Sequence, residues 1–142
     1  LRDISYIVLH CAATPSSMDL DIETVRKWHL DKGWSDVGYH FFIKRDGTIQ
    51  RGRDISVNGA HVRGYNSKSV GICYAGGVDG DGEPEDNRTR AQIKSMVVLC
   101  NYLKALKGFE DATVLGHCDF PDVKKACPSF DVQDFVTNYL DV

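Results

Sequence analysis

Two histidines stand at the ends of short apolar runs: His10 after Tyr6-Ile7-Val8-Leu9, and His117 after Thr113-Val114-Leu115-Gly116. Such runs read as strands, and strand ends open onto the loops where reactive groups gather on a rigid sheet. Ten positions beyond His117 comes Cys127. Two imidazoles and a thiolate form a ligand set suited to zinc, and three protein ligands leave a fourth position for water, as in a catalytic centre. Spacing alone leaves open the alternative that both histidines are ordinary hydrogen-bonded residues. Lys125 precedes Cys127 by two, and Pro128 follows it. A residue before proline favours an extended backbone, and on an extended segment residues two apart point the same way. The Lys125 ammonium is therefore expected beside the Cys127 thiolate, against the alternative of a solvated surface lysine. Tyr39 heads the segment YHFFIK. Its phenol either donates a hydrogen bond into a cleft or packs at a sheet edge.

The remaining chemistry-bearing residues divide by context. His61 lies in GAHVRGYN, a loop whose glycines and asparagine predict exposure and substrate contact; Asn66 in the same loop is the second candidate substrate-binding residue. His29 falls on the apolar face of a helix and is expected to pack in the core. His40 points away from Tyr39 and reads as structural or supporting. Cys73 and Cys100 read as small buried hydrophobes. Asp79, Asp81 and Glu83 suggest a calcium loop but miss the EF-hand spacing.

The elements that must position these groups are legible from periodicity. Ile4 to His10 reads as a buried strand. Asp21 is the expected N-cap of a helix with Ile22, Val25 and His29 on one face and Gly33 at its C-terminus. Tyr39–Lys44 and Thr48–Arg51 read as strands joined by an Asp46-Gly47 hairpin turn. The segment 54–69 is loop-like, and Val70–Tyr74 is a further strand. Thr89 and Gln92 form an expected capping box. The helix it opens carries Ile93, Met96, Val97, Cys100 and Leu103 on one face and runs towards Gly108. Val114–His117 is the last expected strand. The final helix is expected to carry Val132, Phe135, Val136, Tyr139 and Leu140 on one face. Strands and helices intermix, which predicts an α/β fold with a mixed central sheet flanked by helices, as a single domain over residues 1–142.

The whole chain sets outer bounds. Its 142 residues suit one domain with one core. A formal net charge of -3 argues against a nucleic-acid binder, which usually carries a basic stripe. No stretch approaches the roughly 18–20 apolar residues of a membrane helix, so no membrane partner is expected. The opening LRDISYIVLH lacks a signal peptide's order of segments. The five cysteines, an odd number without a spaced framework, favour free thiols and synthesis in a reducing compartment.

Four separated blocks, IVLHCAAT, KGWSDVGYHFFIKRDGTIQRGRD, GAHVRGYNSKSVGICYAGG and KACPSFD, together resemble the zinc-dependent N-acetylmuramoyl-L-alanine amidases. This is the family of bacteriophage T7 lysozyme, related to the peptidoglycan recognition proteins. The likeness runs through nearly the whole chain in order, and the phage branch is the most similar. It implies a mixed sheet flanked by helices and one Zn2+ held by His10, His117 and Cys127. It also implies Tyr39 and Lys125 as catalytic residues and peptidoglycan as the partner. Cleavage would fall on the amide between N-acetylmuramic acid and L-alanine, by a monomer made in the cytoplasm that acts on the cell wall. Some relatives bind muropeptides without cutting them, commonly lacking the cysteine ligand that Cys127 would supply. A purely structural zinc site would need a fourth ligand, from His61 or Cys118.

Overall fold

The computed structural model describes residues 2–140. Eight regular elements alternate along the chain: β1 (Tyr6–Cys11), α1 (Ile22–Asp31), β2 (Phe41–Ile43), β3 (Ile49–Arg51), β4 (Ser69–Tyr74), α2 (Arg90–Lys104), β5 (Thr113–Gly116) and α3 (Val132–Tyr139). The strands form one sheet in the order β3-β2-β4-β1-β5. β1 pairs in parallel with β4 and β5, β2 pairs in parallel with β4, and only the β2–β3 hairpin is antiparallel.

Alternation along the central strands sorts side chains onto two faces. Ile7, Leu9 and Cys11 of β1, with Ile72 and Tyr74 of β4, face Met96, Leu99, Cys100 and Leu103 of α2 and Val132 and Phe135 of α3. On the other face, Phe42 and Cys73 pack with Ile22 and Val25 of α1. Both faces of the parallel core are thus covered, which is why its strands are almost uninterrupted in apolar residues.

Local signals fix the helix ends. Asp21 accepts the Thr24 N–H at 3.0 Å. Thr89 and Gln92 make both halves of the expected capping box. Lys32 is the C-cap of α1, and Gly33 follows it with φ +89°, a conformation that glycine adopts without steric penalty. Two expectations need correction. His117 opens a short 3-10 turn, His117–Asp119, and does not extend β5. α2 stops at Lys104, short of Gly108. Tyr139 is 51% exposed: its ring stacks on Phe135 at 5.7 Å and stays outside the core.

Candidate active site

The strand register brings the two histidines together. Leu9 of β1 lies opposite Gly116 of β5, so His10 and His117 are the residues that follow this last pair, one within β1 and one just past the end of β5, and their ring centroids are 4.6 Å apart. Carboxyl ends of parallel strands are where α/β sheets commonly place their ligands. Cys127 arrives from the loop before α3, and three contacts pin that loop. Cys118 N–H donates to the Cys127 carbonyl at 2.9 Å. Tyr74 Oη donates to the Pro128 carbonyl at 2.7 Å. Cys11 N–H donates to Cys127 Sγ at 3.2 Å. Gly116 makes the approach possible, because a Cβ there would stand 2.8 Å from Pro128 Cδ and 2.9 Å from Val132 Cγ2.

Each of His10, His117 and Cys127 contributes one ligand atom to a cluster whose members lie within 4.8 Å of one another. Burial, reinforced by His61, His117 and Lys125, holds the His10 imidazole well below its ordinary pKa. Burial and then Lys125 lower that of His117. Both rings are neutral near pH 7 and offer lone pairs. The donor set, two neutral imidazoles and a thiol in reach of one point, fits a zinc ion.

Lys125 is exposed and lines an open cleft of about 430 Å3 together with His117, Trp34, Arg63 and Lys124. Tyr39 precedes β2, and its ring centroid is 5.1 Å from that of His10. It lines a second pocket with Trp28, His29 and Lys32. Burial, with Cys73 and Cys127 adding to it, raises its phenol pKa well above 10, so the side chain carries its proton.

The expected exposure of His61 is corrected. Its ring is clamped at both nitrogens, Nδ1 against His10 Nε2 at 2.8 Å and Nε2 against Ser69 Oγ at 3.1 Å. Only part of its surface reaches the cleft, and burial pushes its pKa down to about 3. Asn66 also borders the cleft, but its Oδ1 is taken by the N–H groups of His61 and Val62, both at 2.9 Å. Its carbonyl oxygen therefore folds the loop. Cys118 is exposed and outside the cluster. His29 and Cys100 are buried as packing residues, and Cys73 likewise. Reading the sequence missed Ser69, which carries no motif of its own, and the wall residues Trp34, Arg63 and Lys124. For Lys124, adjacency to Lys125 was the available signal.

The sequence profile of the N-acetylmuramoyl-L-alanine amidases matches residues 1–130. The chain belongs to that family. The amidase is 46% identical over 132 residues to the endolysin of Klebsiella phage KP32, covering 93% of this chain and 85% of that protein. It is 44% identical over 127 residues to the endolysin of Escherichia phage T7, covering 89% and 82%. Among solved structures, the amidase resembles the N-acetylmuramoyl-L-alanine amidase LysC from Clostridium intestinale URNW with a TM-score of 0.78. That match has 27% identity and covers 96% of this chain and 85% of the other.

Proposed function

We propose that this amidase hydrolyses the amide between the lactyl group of N-acetylmuramic acid and L-alanine in peptidoglycan, with one zinc ion held by His10, His117 and Cys127. The observation that carries the reading is the gathering of these three ligand atoms within 4.8 Å, with His117 also lining the cleft that holds Lys125. When bound, zinc lowers the pKa of a coordinated water to about 7 and polarises the carbonyl.

The chain's own residues do the rest. Lys125, an ammonium at the cleft wall, stabilises the negative charge that develops on the carbonyl oxygen. Tyr39, whose ring lies beside that of His10, holds a proton at Oη and serves as the proton-transfer group. Among the described residues no fourth protein ligand joins the three: Cys118 lies outside, and both nitrogens of His61 are engaged. That favours a reactive centre over a structural one. The thiol of Cys127 favours an enzyme over a muropeptide-binding relative. Among the described residues no helix is long and apolar enough to cross a membrane.

The test is mass spectrometry of purified peptidoglycan digested by the protein. Free peptides beginning with L-alanine and intact glycan strands are expected. New reducing sugar ends without new alanine amino groups would reject the amidase assignment.

A further inference from the structure

We propose that Ser69 and His61 form a hydrogen-bonded relay that fixes the tautomer of His10, holding its proton on Nε2 and leaving Nδ1 as the metal-binding atom. The Ser69 hydroxyl has a single hydrogen. Ser69 Oγ donates it to the Tyr65 carbonyl at 2.9 Å. Towards His61 Nε2, 3.1 Å away, Ser69 therefore acts as acceptor, so Nε2 of His61 carries a hydrogen. A neutral imidazole has one N–H, so Nδ1 of His61 is a lone pair. Its partner at 2.8 Å is His10 Nε2, which must supply the hydrogen of that bond. The opposite nitrogen, Nδ1 of His10, is then unprotonated, and it is the atom that faces Cys127 Sγ at 3.9 Å. Reversing either ring's tautomer sets two lone pairs or two hydrogens against each other within the chain.

The fold builds a seat for this relay. A Cβ at Gly71 would lie 2.7 Å from His61 Cγ and Nδ1, and one at Gly59 2.7 Å from His61 Cδ2. Two glycines thus leave the slot that the ring fills, and Ser69 is itself buried beneath it. His61 meets no reacting atom through its nitrogens and is a positioning residue. Partners of this kind orient a metal-bound histidine and raise its basicity.

The inference rests on the zinc reading, and the experiment separates the two. Zinc affinity is measured on the full chain by competition with a chromophoric chelator. A wild-type chain that binds no zinc rejects the zinc reading itself. With wild-type binding established, Ser69→Ala and His61→Phe are expected to bind zinc about 10–100-fold more weakly. His61→Asn, whose side-chain oxygen can accept in place of Nδ1, is expected to recover part of that loss. In the zinc-loaded wild type labelled with 15N-histidine, the N–H is expected on Nε2 of both His10 and His61. Undiminished affinity in Ser69→Ala and His61→Phe, or a hydrogen on His61 Nδ1, overturns the relay. If His61→Phe does not fold, Ser69→Ala and the wild-type spectrum still decide.

Discussion

Cys118 follows the proposed ligand His117 directly, yet its thiol is exposed and turns to Asp119 Oδ1, at 3.9 Å. Cys127 is distant in sequence from His10 but faces it across 3.9 Å. Chemistry follows the fold here, and serine substitutions should separate the two. Cys118→Ser should keep zinc and turnover. Cys127→Ser should lose most of both, because a neutral hydroxyl is a far poorer ligand than a thiolate. Metal content and peptidoglycan turnover check this, and the opposite pattern would overturn the ligand assignment. Tyr39→Phe and Lys125→Ala should keep zinc and fold while losing about 10²–10⁴-fold in turnover, the usual weight of acid–base groups. Near-wild-type rates in both would remove them from the mechanism. The proposed ligands were legible because imidazole and thiol side chains are rare and their flanking blocks are distinctive. The clamp on His61 was not. Its partner His10 lies 51 residues away, and the slot that holds it is made by glycines, whose contribution is the absence of a side chain.

At the scale of elements, His40 ties β4 to the loop after β3. Its Nδ1 accepts the Gly71 N–H at 3.0 Å, and its Nε2 donates to the Val57 carbonyl at 2.8 Å. Only the neutral ring makes both bonds. Burial, partly opposed by the Val57 bond, pushes its pKa to about 4, from 6.5 in an exposed histidine. The unfolded chain therefore takes up a proton below pH 6.5 that the folded chain refuses until about pH 4. The stabilisation is complete above 6.5 and drains away as pH falls through that window, an effect on the order of 1–3 kcal/mol. Urea midpoints at pH 7 and pH 5 should fall more for the wild type than for His40→Gln. Equal falls would show that His40 does not carry the dependence. The sequence predicted each of β1–β5 and α1–α3, with ends shifted by a few residues, and missed the 3-10 turns at Asn66–Lys68 and His117–Asp119. β1, for example, runs Tyr6–Cys11 where Ile4–His10 was expected. Apolar periodicity marks which residues face the core, but ladder hydrogen bonds decide where a strand stops. Helical phase likewise does not fix depth: Tyr139 shares the face of Val132 and Phe135, yet lies at the last residue of α3, where its ring stacks on Phe135 from outside.

For the molecule as a whole, the question is whether the proposed zinc holds the fold together or only equips it. His10 is buried, but it points to the opposite face of β1 from Ile7, Leu9 and Cys11 of the main core, and Cys127 only packs against that core's margin. A chain of 142 residues also has enough core to fold without a metal staple. Removing zinc with a chelator should therefore leave the far-ultraviolet circular dichroism intact while abolishing turnover, and added zinc should restore it. Binding still stabilises by mass action, by about 2.7 kcal/mol when free zinc is about 100 times its Kd. For a domain of this size that corresponds to a Tm higher by roughly 8–10 °C. Calorimetry with and without chelator measures it. Loss of the folded signal on chelation would mean that metal binding and folding are one event, as in small structural zinc domains, and would transfer the three ligands from a catalytic role to a structural one.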